Sequence, residues 1–180
     1  MANDTLTREL LLERFEIYKQ NSDAIASFNK KLGKRKHERM PNFPEMISEN
    51  LIKFILHDLG MNNVRSDGKG DLTELLCIIE CKCFSSIGPL SFSPKSKWDF
   101  LYVLDAVNAK NGNIILYEIN LSSDSEKIKN IKVNKIETFE NQCKDGKRPR
   151  INWKQLHSQI KDDCKIVYDG KVSNLLKNSK

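Results

Sequence analysis

The 180-residue chain has no apolar run near the roughly 20 residues that a membrane-spanning helix requires. It has no internal repeats and no low-complexity segments, which excludes a repeat architecture. The opening stretch, MANDTLTRELLLERF, carries an early acid and a leucine patch broken by charges, which is not the pattern of a secretory signal. Cysteine is scarce and odd in number: five residues, three of them packed at 77, 81 and 83. That count argues against a disulfide framework and for a reducing compartment, so a cytoplasmic location is expected. The same cysteines lack a C-x-x-C pair or a neighbouring histidine pair, which disfavours zinc. Only three histidines occur, His37, His57 and His157, too scattered to form a catalytic or metal-binding set.

Hydrophobic residues make up 39% of the chain and charged residues 30%, ordinary values for a folded protein with one well-buried core. The net charge of +6 is uneven. KKLGKRKHER (30–39) and KDGKRPRINWK (144–154) hold much of the excess and flank a region that holds acids. Such a layout suits a polyanionic partner and a held cation.

Periodicity supplies the elements. Leu6, Leu10, Phe15 and Ile17 predict an amphipathic helix over 5–20. A second helix is bounded by Pro44 and Gly60, with Ile47, Leu51, Phe54, Ile55 and Leu59 at helical spacing and Ile52 and Leu56 widening the apolar face. The period then shortens. LLCIIECKCF reads as an interior strand, WDFLYVLDA (98–106) and NIILYEINL (113–121) as two more joined by a turn at Asn111-Gly112, and IKVNK as a short further strand. NWKQLHSQI reads as a helix capped by Asn152, and CKIVYDG as a last strand. The order predicts an α/β core with a central mixed sheet flanked by helices. One domain is expected over 1–180: a helical part to about 40, a core over about 44–121 and a partner-contacting part over about 122–180.

Within this pattern, GDLTELLCIIECKCF (70–84) places charges where burial is costly. Strand alternation puts Glu80 and Lys82 on one face and Ile79, Cys81 and Cys83 on the other, toward the core. A tight antiparallel pair over 71–83, turning near Glu74, would return Asp71 beside Glu80. Two carboxylates about 4 Å apart repel by about 4 kcal/mol at an effective dielectric of 20. A divalent hard cation offsets that repulsion, and Mg2+ commonly takes one or two carboxylates together with water and phosphate oxygens. Lys82 could then orient water or stabilise charge on a phosphorane, so the group suits phosphodiester hydrolysis.

Gly70-Asp71, eight residues, then Glu80-Cys81-Lys82 in an apolar strand after a helix resembles the PD-(D/E)XK nuclease superfamily, with Gly70 where the motif's name has proline. The resemblance implies a restriction-endonuclease-like core and Asp71, Glu80 and Lys82 as catalytic residues. It also implies Mg2+ as cofactor, with Mn2+ substituting, held by Asp71, Glu80 and Glu49; Glu49 lies in MISENLIKF on the first core helix. The same Glu49 pairs with Lys53 at the i, i+4 spacing of a surface salt bridge. The wider layout, ECKCFSS, GPLSFSPKSKWDFLYVLDA and GKRPRINW, is similar to the small type II restriction endonucleases, in the group cutting GCNGC-type sites. That likeness implies a homodimer cutting double-stranded DNA to leave 5′-phosphates, with the N-terminal helix as a candidate interface. A structure-specific nuclease and a non-catalytic nucleic-acid-binding module are the competing readings.

For DNA contact, the loop after the catalytic strand offers Ser85, Ser86, Lys95 and Lys97, small hydroxyls and ammonium groups suited to phosphates. Lys147, Arg148 and Arg150 surround Pro149, and an arginine fork matches guanine O6 and N7. Lys34, Arg35, Lys36 and Arg39 add a basic stretch suited to phosphates. Trp98 and Trp153 are expected to anchor a core or an interface.

Overall fold

A computed structural model describes residues 6–33, 37–66 and 72–177. In chain order these form α1 (Arg8–Leu32), α2 (Glu45–Asp58), β1 (Val64–Ser66), β2 (Leu72–Glu74), β3 (Cys77–Phe84), β4 (Pro89–Ser91), β5 (Phe100–Asp105) and β6 (Asn113–Ile119). There follow α3 (Glu126–Lys129), α4 (Phe139–Lys144), β7 (Arg150–Asn152), α5 (Trp153–Ile160), β8 (Cys164–Lys171) and α6 (Val172–Lys177). Six strands make one mixed sheet in the order β1-β2-β3-β5-β6-β8, in which only β3 and β5 run parallel. β4 and β7 form a separate antiparallel ribbon. The architecture is the expected α/β core with a central mixed sheet.

Each face of the sheet has its own core. Leu11 and Phe15 of α1, Leu51, Ile52 and Ile55 of α2 and Leu175 of α6 pack with Ile79, Tyr102, Leu104 and Leu116 on one face. Leu101, Val103 and Ile119 meet Phe92, Trp98, Phe139, Ile151, Leu156 and Ile160 on the other. β5 is therefore covered on both sides, which is why FLYVLD reads as a continuous apolar run.

Parallel neighbours require a crossover of a dozen or more residues, usually a helix. Between β3 and β5 that crossover is residues 85–99, and it carries β4 instead of a helix. The length of this loop is thus demanded by topology. β4 then zips to β7, with Ser91 opposite Arg150 and the Phe92 amide donating to the Pro149 carbonyl at 3.0 Å. The two stretches selected from the sequence as DNA-facing become one unit.

Three elements differ from the sequence reading. Leu75 and Leu76, read as the start of the LLCIIECKCF strand, form an exposed turn, and β3 begins at Cys77. α1 runs through Leu32, well beyond residue 20, because nothing breaks it before Gly33, whose φ of +61° ends it. Thr7 caps its start by accepting from the Leu10 amide. IKVNK forms only an isolated bridge, Lys132 to Thr138. Asn134 accepts from the amides of Ile136 and Glu137 and turns the chain before a strand can extend. Two further expectations hold in place: the Asn152 cap accepts from Gln155 and opens α5, and CKIVYDG is β8, the edge strand beside β6.

Candidate active site

The β2–β3 hairpin is the antiparallel pair expected around residues 71–83, with Leu72 opposite Ile79 and Glu74 opposite Cys77. Asp71 itself lies outside the described residues, as do Lys34, Arg35 and Lys36. On β3 the side chains alternate as expected: Ile79, Cys81 and Cys83 join the core shared with α1 and α2. Glu80 and Lys82 stand opposite Leu101 and Val103 of β5, on the other face.

That other face is not open to water. Glu80 is only 2% exposed, beneath the crossover that carries Phe92 and Trp98. An ionised carboxylate at such depth needs charged or hydrogen-bonding partners. Lys82 Nζ lies 2.5 Å from Glu80 Oε1, and the Ser96 hydroxyl donates to Oε2 at 2.6 Å. The Lys82 ammonium also stands 5.5 Å from the centroid of the Phe92 ring, within cation–π range. The acid and the base of the motif are therefore in contact, each held by the crossover as well as by its own strand.

Glu49 sits half-buried on α2, the helix covering the opposite face. One turn further on, Lys53 is 8% exposed, and burial pulls its ammonium below the ordinary lysine range. This corrects the surface Glu49–Lys53 pair expected from spacing. The helix is covered on more than one side, as Ile52 and Leu56 had implied, and Lys53 is carried inward with them. Among the described residues no three His, Cys, Asp or Glu side chains cluster closely enough to hold a metal ion.

The remaining candidates fall into three groups. Ser85 and Ser86 line an open groove with Arg39, Asn42, Phe43 and Gly88 at the carboxyl end of β3. Ser85 accepts there from the Phe43 amide, and Ser86 from the Gly88 amide. Lys97 is paired with Asp124 at 2.5 Å, and Lys147 with Glu137 and Asp145 at 2.8 and 3.0 Å. Lys95, Arg148 and Arg150 are exposed and make no ion pair among the described residues. Trp98 is a core residue at 3% exposure, while Trp153 is half-buried against Phe84, Tyr117 and His157.

Two contributors went unnoticed in the sequence. Ser96 stands between Lys95 and Lys97, whose charge is the more visible signal, and Phe92 carries no motif of its own. SFSPKSKW did carry a readable signal, a proline turn between two aromatics, but not its target.

A mixed sheet flanked by helices, with a buried glutamate and a lysine in contact on its central parallel strand, defines an α/β enzyme with a restriction-endonuclease-like core. The sequence profile of the Bsp6I restriction endonuclease family matches residues 12–162, a span holding every site residue described above. The chain is also 37% identical over 123 residues, 66% of its own length and 67% of the relative's, to the type II restriction enzyme Bsp6I of Bacillus sp. (strain RFL6). No solved structure matches. The chain belongs to the Bsp6I restriction endonuclease family, and its class of activity is that of a type II restriction endonuclease.

Proposed function

We propose that the chain hydrolyses phosphodiester bonds in double-stranded DNA at a specific site, with a divalent cation, Mg2+ or in its place Mn2+, and leaves 5′-phosphate ends. The carrying observation is the buried Glu80 carboxylate with Lys82 Nζ 2.5 Å away. The donor chemistry fits a hard cation. Glu80 offers two carboxylate oxygens, Oε1 beside Lys82 Nζ and Oε2 accepting from Ser96, and each carries more than one lone pair. Asp71 is the further acid in this reading, whereas Glu49, on the helix covering the face of the sheet opposite Glu80, stands apart from the pair. A bound cation would polarise the scissile phosphate and lower the pKa of attacking water.

The chain's own groups then divide the work. Glu80 holds one side of the site and fixes Lys82 through Oε1. Lys82 Nζ, kept in place by Glu80 and by the Phe92 ring, supplies positive charge to the phosphate oxygens as negative charge builds on them. The crossover above them keeps water away from the pair and strengthens it. In this reading Ser85, Ser86, Lys95 and Arg39 contact phosphates, and Arg148 and Arg150 contact bases or phosphates. A palindromic, interrupted GC-rich site of the GCNGC type is the expected target. A twofold dimer follows from such a site, and the exposed Leu10, Ile17 and Phe28 of α1 are candidates for its interface.

The test is cleavage of phage DNA by the purified protein. A discrete fragment ladder that vanishes in EDTA supports the reading, and sequenced fragment ends give the site. Asp71→Asn, Glu80→Gln and Lys82→Ala should each lose cutting by about a thousandfold or more, while gel-shift binding survives. Smearing, or cutting of branched DNA alone, would sink it.

A further inference from the structure

The crossover does more at the site than exclude water. Ser93, Pro94, Lys95 and Ser96 form a tight turn in which the Ser96 amide donates to the Ser93 carbonyl at 3.2 Å. Serine at the first place and proline at the second suit such a turn. The Ser93 hydroxyl also accepts from the Lys95 amide. The turn is pinned on both sides by aromatics that hardly meet solvent, Phe92 at 1% and Trp98 at 3% exposure. Trp98 is fastened in turn by its amide and indole N–H groups, which donate to Ser123 Oγ and the Leu121 carbonyl. A side chain at position 96 therefore has little freedom, and its hydroxyl lies 2.6 Å from Glu80 Oε2.

We propose that Ser96 is a positioning residue of the active site: its hydroxyl locks the rotation of the Glu80 carboxylate in the orientation that receives the divalent cation. The proposal rests on the reading of Glu80 given above. Lys82 Nζ lies nearest Oε1, and without a partner for Oε2 the carboxylate could swing about its terminal torsion, a broad one for glutamate. The swing would bring both oxygens onto the ammonium and draw the negative charge away from the cation. The Ser96 hydroxyl blocks it by fixing Oε2 while using one lone pair of that oxygen and leaving the other. Because Ser96 is flanked by Lys95 and Lys97 in the candidate phosphate-contacting loop, DNA seated on that loop bears directly on the turn that aims Glu80.

The experiment compares wild type, Ser96→Ala, Ser96→Thr and Lys82→Ala. Mn2+ binding is followed by loss of the free-ion electron paramagnetic resonance signal, with protein mixed with plasmid DNA that the wild type has already digested to completion. Ser96→Ala is expected to need about tenfold or more Mn2+ for half-saturation, and a matching rise in the Mg2+ concentration for half-maximal cleavage. Ser96→Thr, which keeps the hydroxyl, is expected to stay close to wild type. Circular dichroism melting checks that each variant is folded. Wild-type Mn2+ saturation in Ser96→Ala would overturn the proposal even if its melting temperature fell, because that result assigns the hydroxyl to stability alone. Equal loss in Ser96→Thr and Ser96→Ala would overturn it as well. A Lys82→Ala variant that still cuts, or a wild type indifferent to EDTA, would instead sink the underlying reading of the site.

Discussion

Glu80 illustrates how much a single buried charge depends on its partners. A carboxylate at 2% exposure is tolerable because an ammonium and a hydroxyl meet its two oxygens. Removing one partner of a buried pair leaves an uncompensated charge, which costs more than the pair is worth. Lys82 is 20% exposed, so screening reduces the effect. Lys82→Ala is expected to lower stability by about 1–3 kcal/mol in urea unfolding. The Glu80→Gln, Lys82→Ala double variant should recover part of that loss, and a strictly additive cycle would contradict the coupling. A surface acid behaves differently. Glu137 is held down to about 2 by hydrogen bonds from Lys147, then Gln142 and Asn134. Its carboxyl is more acidic folded than unfolded, so the stability it lends is present above pH 4.5 and lost as pH falls toward 2. Glu137→Gln should flatten melting temperature against pH within that window and leave the profile above it unchanged in slope.

Among the elements, the β2–β3 hairpin carries the motif and shows a local cost. Its two-residue connection, Leu75 and Leu76, is 81% and 97% exposed, and Leu75 has φ of +54°. A leucine in that region is strained, and glycine is the residue two-residue hairpins favour there. Leu75→Gly should therefore raise stability by about 1 kcal/mol in chemical denaturation, with cleavage unchanged. A destabilised variant would show that the leucine is held by contacts outweighing its strain. The crossover teaches a different lesson. Its serines and lysines suit DNA contact, but its length is already required by the parallel pairing of β3 with β5. Its site role comes from the Ser93–Ser96 turn and the buried Phe92, which lie over Glu80 and Lys82.

For the molecule as a whole, the net charge of +6 is organised by the ribbon. Pairing β4 with β7 brings Arg150 beside the crossover that covers the catalytic strand, although the two are far apart in sequence. Lys97 and Lys147 already have acidic partners, so their part in long-range attraction is weaker than their number suggests. Arg148 and Arg150 have none among the described residues. Each replacement by alanine should lower DNA affinity. A phosphate-binding arginine would also reduce the slope of log K against log salt by about 1, whereas one that reads bases would cost about 1–3 kcal/mol on the cognate site alone. Gel shifts at several salt concentrations on cognate and unrelated duplexes separate these outcomes.

The mixed sheet, α2, the Asn152 cap and the pairing of Glu80 with Lys82 on one face were legible in the sequence, because each is set by residues a few positions apart. Periodicity and capping act locally, and strand alternation decides which side chains share a face. Tertiary structure alone decided that the face carrying Glu80 has a core of its own and that Lys53 is buried. It also decided that Ser96 meets the glutamate from across the crossover. Contacts of that kind depend on where a long connection is pressed against the sheet, and no repeat of 2 or 3.6 residues encodes that placement.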